Sequence, residues 1–249
     1  MKAAEIAARR GHQVTLYEEK ERLGGRFLLA AIPPKKQVLK EFVIYLTNQL
    51  GKLPVRIVLG KPFNPGLLKK EGPDVAIIAT GARPFFPAIE GIQESQAISV
   101  EEALSDPSPL GKKILIVGGG GIGAEVADYL SENEKEVTLV EMREGIALDL
   151  VGHLQHFLNK RLREKGVQIL TSTKAIRFEK EGLWVEGPQG MKRLEGFDSI
   201  VIALGSIPND ELVKFLKGKV PEVYVVGDAS KPREVMEAVL EGEEVALKI

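Results

Sequence analysis

The alternation of apolar and polar positions predicts a chain built from short buried strands and amphipathic helices. Apolar runs of strand length occupy residues 75–79, 113–117 and 199–204. Such continuous runs are typical of strands buried on both faces of a parallel sheet. Apolar residues at helical spacing predict helices near residues 38–46, 126–130 and 233–248. Strands that alternate with helices in this way indicate an α/β fold.

Residues 151–194 add a helix and a small antiparallel layer. The helix is predicted to bury one face, formed by Val151, Leu154, Phe157, Leu158 and Leu162. Four short alternating segments then predict antiparallel strands: 167–170, 175–178, 183–186 and 192–194. His153 and His156 lie three apart on the helix, but with no third ligand in view we expect surface histidines rather than a metal site.

The sharpest motif directly follows the apolar run 113–117. Gly118, Gly120 and Gly123 occupy the three positions of G-x-G-x-x-G between a predicted strand and a predicted helix. The first glycine permits a tight turn, the second lets the backbone approach a pyrophosphate, and the third allows close helix–strand packing. The next predicted strand ends in Glu141, 18 positions past Gly123 (141 − 123), near the roughly 20-residue interval for an acidic side chain that binds a ribose. The sequence therefore predicts a dinucleotide-binding turn.

The chain also repeats itself at a constant interval. Residues 14–18 resemble residues 137–141, displaced by 123 positions (141 − 18), and residues 73–81 resemble residues 197–205, displaced by 124 (205 − 81). This matched spacing predicts a duplicated nucleotide-binding unit. Displacing the glycine motif by 123 positions places the first copy's glycines just before Met1. We therefore expect the first copy to be truncated at its N-terminus and to lack its first strand and glycine turn.

Composition narrows the function classes. A chain of 249 residues is long enough for two medium domains, and its net charge of −1 comes from interspersed rather than blocked charges. Neither a nucleic-acid-binding face nor a membrane-binding tail is indicated, and the apolar runs are too short to span a bilayer. The absence of cysteine excludes a redox-active cysteine pair and cysteine-ligated clusters in this chain. Any redox chemistry therefore belongs to a bound cofactor, and the cytoplasm is the expected compartment.

The end of the chain carries a second candidate site. Gly227 and Asp228 follow the predicted strand 223–226 and precede the last helix. A carboxylate beside a helix N-terminus suits a polyhydroxyl chain and an electron-rich ring. The alternative is that Asp228 merely caps a helix.

These motifs together resemble a known family. The stretches that carry this resemblance are Leu23-Gly24-Gly25-Arg26, Ala79-Thr80-Gly81, Ala203-Leu204-Gly205 and Val226-Gly227-Asp228. With them, the chain resembles the C-terminal FAD/NAD(P)-binding half of the 2,4-dienoyl-CoA reductase, enoate reductase and trimethylamine dehydrogenase family of flavin oxidoreductases. The resemblance covers essentially the whole chain. It does not cover the N-terminal flavin barrel and iron–sulfur segment of those enzymes, which would be a partner of this module.

The resemblance implies two nucleotide sites. The FAD site would use Glu18, Gly25, Arg26, Thr80, Gly81, Gly227 and Asp228. The NAD(P)H site would use Gly118, Gly120, Gly123, Glu125, Glu141, Arg143 and Gly205. Glu141 opposes a 2′-phosphate by its charge, which favours NADH, whereas Arg143 leaves NADPH open. Without the first glycine turn, the resemblance implies that FAD binding is weak or lost.

The sequence thus predicts an α/β fold with two Rossmann-like three-layer domains, the second inserted in the first. The FAD-type domain is predicted to comprise residues 1–108 and 209–249, and the NAD(P)H-binding domain residues 109–208. The expected function is hydride transfer from NAD(P)H to FAD, with no side-chain acid or base. Two alternatives stay open: a non-catalytic module that binds NAD(H) or ADP, and half of a split flavoenzyme that a partner chain completes. The split enzyme predicts an open slot between strands 14–17 and 223–226.

Overall fold

The computed structural model describes residues 1–179 and 182–249, which divide into two compact units. The first unit comprises residues 1–31, 36–83 and 206–249, and the second comprises residues 32–35 and 84–205. Residues 84–108 group with the second unit by their contacts. The predicted domain limits at 108/109 and 208/209 are therefore not the limits of these compact units, and the functional division into domains stays a prediction.

Helices and strands alternate through most of the chain. The helices are α1 (Lys2–Arg9), α2 (Phe27–Ala30), α3 (Leu39–Leu50), α4 (Pro65–Glu71), α5 (Val100–Ser105), α6 (Gly121–Glu132), α7 (Gly152–Glu164), α8 (Glu211–Leu216) and α9 (Val235–Lys248). The strands are β1 (Val14–Tyr17), β2 (Val55–Val58), β3 (Val75–Ile78), β4 (Ala82–Pro84), β5 (Ile98–Ser99), β6 (Lys113–Val117), β7 (Glu136–Val140), β8 (Gln168–Leu170), β9 (Lys174–Glu179), β10 (Gly182–Gly187), β11 (Gly190–Glu195), β12 (Ser199–Ile202), β13 (Ser206–Pro208) and β14 (Glu222–Val225). A 3₁₀ turn covers Gly227–Ala229.

The first unit contains two separate parallel pairs of strands. Strand β1 pairs with β2, and β3 pairs with β14. Beside the second pair, Ile78, Leu216 and Val220 form a buried cluster. Helix α1 packs against α9, where Gly242 lets the two helices approach closely.

No pairing joins β1 to β14 among the residues that the structure describes. The four residues of β1 are all only half-buried, in contrast to the fully buried interior strands of the second unit. A parallel strand with one neighbour leaves a row of backbone N–H and C=O groups unpaired. The slot that the split-enzyme alternative predicts is therefore compatible with this unit.

The second unit is built on a five-stranded parallel sheet in the order β5-β12-β6-β7-β8. Its central strand β6 is buried on both faces, as the continuous apolar run predicts. Because side chains alternate along a strand, Leu115 and Val117 share one face and Ile114 and Ile116 the other. This architecture confirms the Rossmann-like α/β fold predicted from the sequence.

An antiparallel sheet of β9, β10 and β11 forms the second layer of this unit. Phe178, Leu183 and Val185 from this layer pack in one buried cluster with Leu115 and Val117 of β6. The antiparallel layer predicted from alternating residues is thus present. Its first predicted segment was wrong, because β8 joins the parallel sheet beside β7 instead.

Helices α5, α6 and α7 form the third layer. The predicted buried face of α7 was partly wrong: Leu158 and Leu162 are buried, but Val151, Leu154 and Phe157 are exposed. The physical reason is that α7 is anchored through its C-terminal half. There Arg161 and Lys165 pair with the buried Asp128 of α6 at 2.8 and 2.9 Å.

Candidate functional site: two nucleotide-binding turns

The glycine turn of the second unit has the strand–turn–helix geometry that its sequence predicts. Gly118 has a φ of +106°, and a Cβ added there would lie 2.3 Å from the carbonyl oxygen of Ala203. A Cβ at Gly123 would lie 2.0 Å from the carbonyl oxygen of Gly118. In contrast, a Cβ at Gly120 would have no atom of another segment nearer than 3.7 Å. Two glycines therefore close the turn, whereas a Cβ at Gly120 would make ordinary contacts with the side chains of Arg143 and Asp149.

This turn lies at the switch point of the parallel sheet. The chain runs from β6 outward through β7 and β8, and later returns to β12 on the opposite side of β6. The carboxyl ends of β6 and β12 therefore flank a crevice, which is where ligands bind in open α/β sheets. Gly205, three residues past β12, is exposed with a φ of +98°. Both predicted segments thus lie at one edge of the sheet.

Glu141 directly follows β7, which neighbours β6, and its side chain is buried against the glycine turn. Its Oε2 accepts a hydrogen bond of 2.7 Å from the N–H of Gly119. Its Oε1 accepts from the backbone N–H and the Nε of Arg143 at 2.8 and 3.2 Å. The structure therefore brings Glu141, Arg143 and the turn together. Glu125 lies half-buried on α6, five residues past Gly120.

Asp149 was missed by the sequence reasoning. Its carboxylate accepts hydrogen bonds from the N–H of Gly121, the first residue of α6, at 2.8 Å to Oδ1 and 3.1 Å to Oδ2. The Nη2 of Arg143 lies 3.9 Å from Oδ1. No local motif marks Asp149, because it follows Gly121 by 28 residues and reaches it only through the fold.

In the first unit, the predicted flavin residues cluster beyond the paired strands β3 and β14. The guanidinium of Arg26 donates a hydrogen bond of 2.9 Å to the hydroxyl of Ser206 and lies 3.9 Å from the carboxylate of Asp228. The hydroxyl of Thr80 donates a hydrogen bond of 2.7 Å to the carbonyl of Asn209. Gly25 and Gly81 both have positive φ, at +52° and +71°. Ser206 was not predicted, although its position directly after Ala203-Leu204-Gly205 could have pointed to it.

The turn at Gly227 is closed by the chain itself. The N–H of Gly227 donates a hydrogen bond of 2.7 Å to one carboxylate oxygen of Glu241. The other oxygen of Glu241 pairs with Arg233. Burial acts to raise the pKa of Glu241, but the Arg233 pair and the Gly227 N–H outweigh it, so the pKa lies below its usual value. Asp228 accepts a hydrogen bond of 3.1 Å from the backbone N–H of Arg233. Asp228 therefore bonds to the loop before α9, whose N-cap residue is Glu234, and not to the first turn of the helix.

Glu18 stands apart from this cluster. It follows β1, and its Oε1 accepts 2.9 Å from the backbone N–H of Lys20. Its strand β1 belongs to the β1–β2 pair, whereas the cluster lies beyond the β3–β14 pair. The structure thus brings together the predicted flavin residues near β3 and β14, but not the predicted ribose-binding carboxylate.

The described residues contain no group of three side chains suited to a metal ion. His153 and His156 are both exposed. None of the helices within 1–179 and 182–249 has the length and apolarity needed to cross a bilayer.

The chain is similar to several known reductases. The family described as pyridine nucleotide-disulphide oxidoreductase matches residues 1–242. Bilirubin reductase of Mediterraneibacter gnavus (strain CC55_001C) is 32% identical over 97% of this chain and 38% of its own length. NADH oxidase of Thermoanaerobacter brockii is also 32% identical, over 100% of this chain and 39% of its own. The chain therefore spans about two fifths of the length of these curated relatives.

Solved structures agree with this similarity. The complex of 2-naphthoyl-CoA reductase with 2-naphthoyl-CoA matches with a TM-score of 0.94 and 30% identity, covering 100% of this chain and 38% of that one. Thioredoxin reductase from T. acidophilum matches with a TM-score of 0.70 and 19% identity, covering 99% of this chain and 92% of that one. The second likeness shows the fold alone.

Proposed function

Because the chain belongs to the pyridine nucleotide-disulphide oxidoreductase family, we propose that it is a module that passes a hydride from NAD(P)H to FAD. The family implies both nucleotides. When bound, these two groups supply the redox chemistry, and the protein supplies binding, orientation and electrostatics. A chain without cysteine holds no redox-active disulfide of its own. We therefore assign binding roles to its side chains and no proton-transfer role.

The observation that carries this proposal is the strand–turn–helix geometry of residues 113–132, which brings Gly120 to the N-terminus of α6. The first backbone N–H groups of a helix lack intrahelical partners and carry a partial positive charge, so they bind phosphate. Because Gly120 has no side chain of its own, its backbone can approach a pyrophosphate. The residues present in the second unit therefore fit a dinucleotide, with Gly118 and Gly123 shaping the turn.

Glu141 would then hold the adenosine ribose. Its Oε1 already accepts two hydrogen bonds from Arg143, whereas Oε2 accepts from the N–H of Gly119 and has a second lone pair for a ribose hydroxyl. A 2′-phosphate would meet the negative charge of Glu141, which favours NADH. Arg143 lies close enough to offset part of that charge. We therefore propose NADH as the preferred donor and NADPH as a weaker one.

The first unit fits only part of FAD. Arg26 and Asp228, with Thr80 and Gly81 near the ends of neighbouring strands, would contact the flavin and its ribityl chain. Gly25 would let the backbone pass close to the nucleotide, and Glu18 would take its adenosine ribose. In the described residues, no glycine turn comparable to 118–123 lies between β1 and β14. We therefore propose that the chain by itself holds FAD weakly.

A charge placed in the glycine turn tests the NADH site. Gly120→Asp adds a carboxylate at an N-cap position that suits aspartate, where the Cβ makes ordinary contacts of 3.7 Å with Arg143 and Asp149. We expect this variant to stay folded but to bind NADH at least tenfold more weakly in calorimetric titration. The matched control is Gly152→Asp, at the exposed first residue of α7, where an added Cβ meets no atom within 4 Å. Equal NADH affinity in the two variants would contradict the proposed site.

A second candidate function is a nucleotide-binding module without flavin chemistry. The observation that favours it is that no pairing joins β1 to β14 in the described residues, and no glycine turn there offers phosphate donors for FAD. Purified protein separates the two functions. A flavin absorbance that NADH bleaches without oxygen supports the oxidoreductase, whereas colourless protein that binds NADH and reduces no dye supports the binding module.

We further propose that this module works with an N-terminal flavin barrel and iron–sulfur partner, because it spans only about two fifths of its relatives. The cytoplasm stays the predicted compartment. If the proposal is correct, the FAD-loaded chain alone reduces an artificial dye with NADH but does not reduce an enoyl-CoA. Reduction of an enoyl-CoA by the chain alone would overturn the need for the partner.

A further inference from the structure

A carboxylate of the protein occupies the N-terminus of the helix that is proposed to bind pyrophosphate. Asp149 accepts from the N–H of Gly121 with both oxygens, at 2.8 and 3.1 Å. The N-cap residue Gly120 has no side chain with which to cap the helix. Asp149 therefore supplies from a distant loop the cap that a local serine or aspartate usually supplies.

The same N–H group belongs to the phosphate-binding donors of α6. A backbone N–H cannot donate a full hydrogen bond to a carboxylate and to a phosphate oxygen at once. Two anions at one helix N-terminus also repel each other, in a site where burial of Gly121 limits screening by water. A pyrophosphate oxygen that accepts from the Gly121 N–H therefore requires the side chain of Asp149 to leave.

The surroundings of Asp149 show how it can leave. Its loop, residues 142–150, is anchored by a 2.7 Å hydrogen bond from the N–H of Ala147 to the carbonyl of Gly119. The side-chain amide of Gln155 also donates a hydrogen bond of 2.9 Å to the carbonyl of Ile146 in this loop. The side chain of Asp149 itself is 56% exposed, and the Nη2 of Arg143 is 3.9 Å away. Rotation into water therefore frees the Gly121 N–H while the backbone of the loop keeps its anchors.

We infer that Asp149 is an internal anion that competes with the dinucleotide pyrophosphate and so limits the affinity of the second unit. This inference rests on the proposed binding of NAD(P)H there. The competition lowers the net free energy of binding, because the ligand replaces one charge-assisted hydrogen bond of the Gly121 N–H with another. Removing the carboxylate removes the competitor and leaves the donors of α6 in place.

The test compares Asp149→Asn and Asp149→Ala with the wild-type chain. The matched control is Glu144→Gln, which makes the same charge change at an exposed residue of the same loop. Dissociation constants are measured by calorimetry for two probes, NADH and inorganic pyrophosphate. We expect both Asp149 variants to bind both probes at least fivefold more tightly than wild type, with Glu144→Gln within twofold of wild type.

Thermal unfolding without ligand gives a second readout. Asp149→Ala loses the helix cap, so its unfolding temperature falls below that of Glu144→Gln, and NADH raises it by more than it raises the wild type. Unchanged or weaker binding of both probes by the Asp149 variants overturns the inference. Tighter pyrophosphate binding without NADH binding in any variant supports the internal anion and refutes the proposed NADH site. Failure of both probes to bind any form of the chain refutes both.

Discussion

Substitution of Gly123 tests whether the glycine turn is as tight as the structure indicates. An added Cβ lies 2.0 Å from the Gly118 carbonyl oxygen and 3.1 Å from the Ala203 Cβ, and real Cβ atoms essentially never approach below 3.0 Å. In Gly123→Ala, the helix and the turn must therefore separate by about 1 Å. The nearest atom is backbone, so no flexible side chain can yield.

The expected cost follows from two opposing effects. Overpacking costs about 1–3 kcal/mol, whereas alanine gains up to about 1 kcal/mol over glycine inside a helix. With the full alanine gain, the net loss of stability is therefore up to about 2 kcal/mol, or a fall of up to about 8 °C in unfolding temperature for a chain of this size. Because the separation also moves the N–H donors of α6, we expect NADH affinity to fall at least tenfold, which is about 1.4 kcal/mol.

The assay combines calorimetric unfolding with NADH titration on the same preparations. Gly152→Ala is the matched control, because it makes the same change at a helical glycine where an added Cβ meets nothing within 4 Å. We expect this control to be as stable as wild type or slightly more stable, and to bind NADH unchanged. If Gly123→Ala matched Gly152→Ala in both measurements, the turn would not be closed by the contact between Gly123 and the Gly118 carbonyl.

Three further variants test other contacts. Glu141→Gln removes the charge that faces a 2′-phosphate, so it should lower the ratio of the NADPH to the NADH dissociation constant about tenfold. Titration with each nucleotide measures this ratio, and an unchanged ratio would show that Glu141 does not set the preference. Arg26→Ala should reduce FAD retention, read from flavin absorbance after desalting, whereas Arg83→Ala, an exposed arginine paired with Glu211, should not. The pKa of Glu241 is lowered in the folded state, so its stabilising effect is complete above about pH 4.3, the ordinary glutamate value, and is lost as the pH falls through the folded value. Urea unfolding from pH 6 to 3 should therefore show a steeper loss of stability for wild type than for Glu241→Gln, and parallel curves would exclude this linkage.

The features predicted correctly from the sequence are those that local chemistry determines. Gly118 and Gly123 lie next to the backbone atoms that exclude a Cβ, and the apolar run of β6 needs burial on both faces wherever it is placed. The repeat can also be read without coordinates, but the domain arrangement inferred from it stays a prediction. Local patterns of this kind constrain the chain before any long-range contact forms.

The features predicted wrongly depend on partners far along the chain. Val151, Leu154 and Phe157 have helical spacing, but α7 is anchored through Arg161 and Lys165 near its other end. Strand β8 has the alternation of an antiparallel strand, yet its pairing is decided by β7, about 30 residues earlier. Asp149 gave no signal at all, because its partner Gly121 is 28 residues away. Periodicity identifies an apolar face but not the element that covers it.

Both units satisfy one N–H of a predicted nucleotide-binding turn with an internal carboxylate, but the two carboxylates are held differently. Glu241 accepts from Gly227 and is also paired with Arg233, and its side chain is 28% exposed. Asp149 accepts from Gly121, is 56% exposed, and has its nearest cation 3.9 Å away. A carboxylate that keeps a close cation loses more when it is displaced than one that turns into water. Glu241 is therefore a fixed part of its turn, so a ligand of the first unit has to use other donors, whereas the Gly121 N–H of the second unit is open to exchange.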